Sequence, residues 1–322
     1  MDPTTCQYAP PGEYIKDHSL LYHEGWWHLY AISGTQGFYH GYTGNEETIS
    51  WSISRDLVNW ELRGHVLHAS GWAGFFDQHE VWAPFCYQGP DGFYLFYTGI
   101  IHPTRPMEYR RLGHDHPWVV QGHRETQGIA CSTDLTDWVK ISDQQHGSGV
   151  PGRDSHVVRD DAGDRWLLYS TLNNPQAHVS ESHDLRHWTP LGVCAEFPQV
   201  ISTEARHGGS AEHPVTLYGT AESLTVMRHP LHGRWIIMAN HHYNISDDPT
   251  SFPDDQACVY NETYEGHTVD AGFAGEMINV QGRWYRSGVI GPRDYWQLGF
   301  TEVAWDMEGA FHIVKPSIMA LG

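Results

Sequence analysis

The strongest constraint on this chain is a phrase that it repeats three times. The copies are Ser54-Arg55-Asp56-Leu57-Val58-Asn59-Trp60, Ser132-Thr133-Asp134-Leu135-Thr136-Asp137-Trp138 and Ser182-His183-Asp184-Leu185-Arg186-His187-Trp188. Each reads Ser-x-Asp-Leu-x-x-Trp and follows a short alternating run such as Trp51-Ser52-Ile53 or Ile129-Ala130-Cys131. Ser and Asp close turns through their own side chains, and a Trp that packs back suits the end of an outer β-hairpin. Repetition at such intervals means repeated supersecondary units, so the chain should fold as an array of similar sheets.

The rest of the sequence supplies the units. The first, from about Ile15 to Trp60, has strand-like runs around a turn at His23-Glu24-Gly25. The second opens at Glu80-Val81-Trp82-Ala83-Pro84 and turns at Pro90-Asp91-Gly92, a strong turn signal between β-rich runs. The third opens at Gly152-Arg153-Asp154-Ser155 and turns at Asp160-Asp161-Ala162-Gly163. The fourth enters through Ala221-Glu222-Ser223 and turns near His232-Gly233. The fifth opens at Gly275-Glu276 and turns at Gln281-Gly282, with outer strands at Gln297 to Trp305 and Ala310 to Val314. Five units of about 55–70 residues, each a meander, predict an all-β fold: a five-bladed β-propeller, which leaves only short protected edges. Residues 1–322 read as one domain with a short N-terminal extension, 1–14, and a long loop between Ile101 and Gln127.

In a propeller the innermost strand of every blade lines the central channel. The polar residues opening units one, three and four are Asp17, Asp154 and Glu222, and the geometry brings three carboxylates to one mouth. Crowded like charges raise at least one pKa and leave an acid beside a base. Two such groups flanking a sugar bond are what glycoside hydrolysis requires. Glu80 and Glu276 also stand at unit starts and are expected to hydrogen-bond sugar hydroxyls. Arg153 is a candidate substrate clamp, and Trp82 a flat apolar face for a sugar ring.

These motifs resemble the five-bladed β-propeller glycosidases, glycoside hydrolase families 43 and 32. The stretch Ile15-Lys16-Asp17-His18-Ser19-Leu20 resembles the Asn-Asp-Pro-Asn-Gly region of family 32, with Asp17 in the place of the nucleophile, or of the general base in family 43. Arg153-Asp154-Ser155 resembles the Arg-Asp-Pro motif, whose Asp supports the transition state or tunes the acid. Glu222-Ser223-Leu224 resembles the motif that carries the general acid, and Val81-Trp82-Ala83-Pro84 the Trp-Ala-Pro of family 43. Pro is absent after Asp17 and Asp154 and from the third position of the Glu222 motif, and Phe85 stands where family 43 has Asp. The resemblance implies a hydrolase acting from the end of a furanoside-type (fructosyl or arabinosyl) or related glycan; a non-catalytic carbohydrate-binding propeller is the alternative. The phrase Ser-x-Asp-Leu-x-x-Trp also resembles the Asp-box of sialidases, but their Gly is missing and Arg is sparse at the unit starts.

Composition limits the partners. Acids outnumber bases 39 to 19, for a formal charge of −20, which repels phosphate backbones and argues against nucleic acid. No run of 18 or more apolar residues provides a membrane span. The first residues carry no basic and apolar leader pattern, so the expectation is a cytoplasmic protein or one whose leader has been removed. His79, His156, His241 and His242, near unit starts or strand ends, show no HExxH or HxxxH spacing, and the five Cys form no CxxC pair. No metal site is expected from the residues, and no cofactor beyond the channel calcium ion that family 43 members can hold. Asn244-Ile245-Ser246 and Asn261-Glu262-Thr263 match the glycosylation pattern only as chance matches.

Overall fold

The computed structural model describes the chain except residues 39–43, 103–122, 174, 198–199, 203–211, 213–214, 218–220, 240–241, 254–257, 260–262, 266, 270–271, 293, 308 and 322. Most of the expected loop between Ile101 and Gln127 therefore lies outside the described residues, as do His241 and Asn261.

Five four-stranded antiparallel meanders follow one another. Blade 1 comprises β1 (Glu13–His23), β2 (Trp26–Thr35), β3 (Thr48–Ser54) and β4 (Trp60–His68). Blade 2 comprises β5 (Glu80–Gly89), β6 (Gly92–Ile101), β7 (Arg124–Ser132) and β8 (Val139–Lys140). Blade 3 comprises β9 (Arg153–Asp160), β10 (Arg165–Asn173), β11 (Gln176–Ser182) and β12 (Thr189–Glu196). After a hairpin of β13 (Val200–Ser202) and β14 (Val215–Leu217), blade 4 has β15 (Thr225–Arg228), β16 (Trp235–Met238), β17 (His242–Ser246) and β18 (Cys258–Val259). A second hairpin, β19 (Thr263–Tyr264) and β20 (His267–Thr268), precedes blade 5: β21 (Met277–Val280), β22 (Arg283–Ile290), β23 (Gln297–Trp305) and β24 (Phe311–Lys315). The unit openings and turns match the sequence reading. The first unit extends past Trp60, which starts the outer strand β4.

Apolar packing closes the ring. One cluster joins blades 1 and 2 through Tyr30, Ile49, Val81 and Leu95, and another joins blades 2 and 3 through Phe96, Ile129 and Leu168. Blades 3 and 4 meet at Leu167, Val179, Val226 and Ile237, and blades 4 and 5 at Ile236, Met238, Val303 and Phe311. The fifth cluster joins blade 5 to blade 1 through Tyr285, Phe300, Ile15 and Leu29. Residues 1–14 belong to this last seam: Cys6 is buried in it, and Tyr8 and Leu298 exchange backbone hydrogen bonds of 3.2 and 2.7 Å. The free thiols of Cys6, Cys86 and Cys194 are buried.

The repeated phrase connects the third and fourth strands of blades 1 to 3. In each copy the Ser hydroxyl accepts from the backbone N–H of the Asp and the Leu, while one Asp oxygen accepts from the two amides beyond the Leu. The Trp indole donates to the Leu carbonyl at 3.1–3.3 Å. The Leu itself is left-handed, with φ of 64°, 66° and 61°, and its side chain is the wedge driven into the seam with the preceding blade. Burying a leucine is worth about 1.5–3 kcal/mol, more than the ~1–2 kcal/mol of the left-handed backbone. Blade 4 carries a degenerate fourth copy, Ser246-Asp247-Asp248-Pro249-Thr250-Ser251-Phe252. Ser246 and Asp248 keep the turn bonds, and Phe252 fills the seam with blade 3.

Candidate active site

The inner strands are interrupted at one shared level. Lys16-Asp17 stand opposite Ile32 alone, Ala83-Pro84 opposite Tyr97, and Asp154-Ser155 opposite Ser170. In blade 5 Ala274-Gly275 occupy the same gap, between the Phe273–Val289 bridge and the pairing of Glu276 with Ser287. Such bulges bend a strand and re-aim its side chains. Ala83, Asp154, Ser223 and Ala274 are all left-handed there, with φ of 44° to 57°. Gly152 (φ 83°) brings the chain into the blade 3 bulge, where a Cβ would collide with the Thr171 carbonyl.

These four bulges and, in blade 4, the left-handed Ser223 surround one open cavity of about 340 Å³. Its lining includes Asp17 and His18, Pro84 and Phe85, Asp154 and Ser155, Ser223 and Leu224, and Gly275 and Glu276. The three acids stand at different steps: Asp17 is the second residue of its bulge, Asp154 the first of its own, and Glu222 precedes the left-handed Ser223. Glu222 is outside the lining itself, with its carboxylate 40% exposed, and accepts from Arg153 Nη2 at 2.5 Å. Thr171 Oγ1 donates to the Ala221 carbonyl, and Ser223 N donates to Asp154 Oδ2 at 3.1 Å, so blade 3 holds the turn that carries Glu222.

Burial is the main cause that raises the pKa of both Asp17 and Asp154, the latter to about 7. Lys16 and Arg153 oppose the rise in Asp17 and Arg153 in Asp154, while Glu222 and, for Asp154, Asp17 add to it. All three acids therefore lie in one another's field. Arg153 is the hub: Nε is 3.5 Å from Asp154 Oδ2 and Nη1 3.2 Å from Glu125 Oε2, in addition to Glu222. Behind Asp17, Lys16 Nζ donates to Glu46 Oε2 at 3.1 Å, and Tyr14 OH donates to Glu46 Oε1 at 2.9 Å.

The other expected site residues are placed differently. Glu80 is fully buried away from the cavity and shares a proton with His102 Nε2 at 2.9 Å. Its pKa is pushed to about 8 and that of His102 down to about 4, burial being the main cause for each, so the carboxyl keeps the proton. This corrects its reading as a sugar-binding residue. Glu276 does line the cavity, but its Oε2 accepts from Leu20 N at 2.7 Å, which ties blade 5 to blade 1. Trp82 is half-buried outside the lining, with Lys16 Nζ 4.8 Å from its ring centre and the edge of His123 against it. Asn244 is buried and donates to Pro253 O at 2.6 Å, which removes it as a glycan acceptor. Lys16, Glu46 and Glu125 were missed: Lys16 and Glu125 are ordinary strand residues in sequence and Glu46 a loop residue, and only the folded ring sets Glu46 beside Lys16 and Glu125 beside Arg153. For the calcium ion that the resemblance allows, the described residues contain no group of three or more His, Cys, Asp or Glu suited to a metal, and no step below passes through one.

The model of Glycosyl hydrolases family 43 matches residues 29–179, from β2 to β11, which includes Trp82, Arg153 and Asp154. A probable sucrose-6-phosphate hydrolase of Psychromonas ingrahamii is 26% identical over 211 residues, 60% of this chain and 34% of that protein. An insoluble isoenzyme 2 of beta-fructofuranosidase from Oryza sativa is 26% identical over 64% of this chain and 35% of its own length. The chain thus spans about a third of the length of the curated relatives it matches. Among solved structures, a GH43_1 enzyme from Xanthomonas citri complexed with xylose superposes with a TM-score of 0.63 at 15% identity, covering 98% of this chain and 94% of that one. The GH32 beta-fructofuranosidase of Bombyx mori gives 0.58 at 19% identity, covering 98% and 66%. In sequence and in fold, the chain is a five-bladed β-propeller that resembles the glycosidases of families 43 and 32.

Proposed function

We propose that the chain is a glycoside hydrolase that removes a terminal furanosyl unit, fructosyl or arabinosyl, or a related sugar. The observation that carries this reading is that Asp17 and Asp154, from two blades, line one cavity, and that Arg153 holds Glu222 of a third blade beside Asp154. Glu222, the most exposed of the three, protonates the leaving oxygen. Asp17, at the bottom of the bulge, acts on the anomeric carbon directly or through water. Asp154 holds substrate hydroxyls and, through Ser223 N, fixes the turn beneath the acid. Phe85 and Leu224 give the sugar its apolar wall.

The test is Glu222→Gln on a panel of chromogenic furanosides and pyranosides. General acid catalysis contributes about 10²–10⁴-fold, so kcat should fall by that much while sugar binding persists. A wild-type protein that binds sugar and hydrolyses nothing is a lectin-like propeller instead. The product anomer, followed by NMR, assigns retention or inversion, which correspond to carboxyl separations of about 5–5.5 Å or 6.5–9.5 Å.

A further inference from the structure

Glu125 lies on β7, the third strand of blade 2, and belongs to no motif. Its Oε2 accepts from Arg153 Nη1 at 3.2 Å, and its Oε1 pairs with His123 Nε2 at 2.7 Å. Arg153 turns its remaining nitrogens to Glu222 and Asp154. A guanidinium is planar and rigid, so fixing one edge fixes the direction of the others. Arg153 follows the left-handed Gly152 and precedes the left-handed Asp154, a backbone that by itself leaves a long side chain many rotamers. We propose that Glu125 is a positioning residue for hydrolysis: it clamps Arg153 from outside the cavity so that the guanidinium meets Glu222 and Asp154 together.

Three observations converge on that role. The Glu125 side chain is 18% exposed and the Arg153 side chain 19%, so the pair is shielded enough for its geometry to matter. Burial pushes the Glu125 pKa up, but the His123 hydrogen bond and the Arg153 charge more than offset it, and the group stays below the usual carboxylate range. Finally, His123 itself packs against Trp82 and His102, with ring centres 5.3 and 5.9 Å away, so the anchor is held on two sides. The inference rests on the hydrolase reading for its kinetic consequence but not for its structural one.

The experiment therefore has two arms. In the first, kcat/KM on the best chromogenic glycoside is measured for wild type, Glu125→Gln, Arg153→Ala and the double variant. Glu125→Gln should lose about ten-fold or more, chiefly in kcat, and should lose nothing further in the Arg153→Ala background. Wild-type kinetics in Glu125→Gln, or an equal loss in both backgrounds, overturns the proposal. The second arm is nitrogen NMR of the Arg153 guanidinium, assigned with Arg153→Lys. Slow rotation about its bonds in wild type should become fast in Glu125→Gln and be restored toward wild type in Glu125→Asp. An unchanged Arg153 signal in Glu125→Gln sinks the clamp even if no glycoside is ever hydrolysed, whereas a wild type without turnover but with this NMR response sinks only the hydrolase reading.

Discussion

Stability should pass through a plateau between about pH 4.5 and 6.5 and fall steeply above it. Besides Asp17, four buried carboxyls have raised pKa values, Glu46 and Asp154 at about 7 and Glu80 and Glu276 at about 8, with burial the largest cause in each. Each binds its proton more tightly folded than unfolded, so its contribution declines as pH rises from its ordinary value to its folded one. Four imidazoles, His18, His28, His102 and His156, are held at about 4, again mainly by burial. Their sign is opposite: the unfolded chain takes up protons first, and stability is lost as pH falls from about 6.5 to about 4. Between those limits the two sets nearly cancel, and above pH 6.5 only the carboxyls remain. A difference of one bound proton is worth about 1.4 kcal/mol per pH unit. After the partial ionisation of each group, roughly two protons separate the folded and unfolded states between pH 7 and 8, or about 2–3 kcal/mol per unit. Urea melts at pH 5.5, 6.5, 7.5 and 8.5 measure this directly. Glu276→Gln, which keeps an acceptor for Leu20 N, should flatten the alkaline slope by about 1 kcal/mol per unit. Unfolding free energy that is constant or rising from pH 6.5 to 8.5 would refute the assignment of protons to these carboxyls.

Three further outcomes follow from the same geometry. Leu185→Ala should cost about 2–5 kcal/mol in chemical melts; Leu185→Gly should be no less stable than the alanine variant, although glycine is elsewhere worse by about 0.5–1 kcal/mol, because the residue is left-handed. Lys16→Met removes the largest influence that opposes the rise in the Asp17 pKa, so the acidic limb of the kcat/KM profile should move up by about 1–3 pH units. Asp154→Asn should raise stability at pH 8, where the native carboxyl is forced to ionise in a buried site, while lowering kcat/KM; melts and kinetics on one preparation check both signs.

The ring of blades was legible because turns are written in local chemistry. Glu24-Gly25 and Gln281-Gly282 adopt the paired left-handed conformations that two-residue hairpins demand, and Ser-x-Asp binds its own amides wherever it occurs. The fourth copy of the phrase escaped notice because Pro249 replaces Leu and Phe252 replaces Trp. Its Ser and Asp still make the turn, and an aromatic still fills the seam. Chemistry at that position is conserved in kind, not in letters. The Leu of the phrase, read as an apolar residue, gave no sign that it would be left-handed; the Ser and Asp of its own turn bind its amide and the two beyond it, and its side chain enters the seam.

The acids were legible for a different reason, and only in part. Reading unit starts as equivalent picked out Asp17, Asp154 and Glu222, which stand at the second residue of one bulge, the first of another, and just before the left-handed Ser223, so the unit starts are equivalent only to within a residue. That offset is what a working site requires. Identical steps in a pseudo-fivefold ring would give equivalent environments, whereas acid chemistry needs unequal ones. Asp17 sits deep beside Lys16, Asp154 bonds the turn of the next blade, and Glu222 stands farther out against Arg153. The same offset explains the misplacement of Glu80. It lies three residues before its bulge, and its side chain falls behind the wall with His102 rather than into the opening. A few steps along the inner strand separate a catalytic candidate from a buried partner, and hydrophobic pattern alone carries no mark of them.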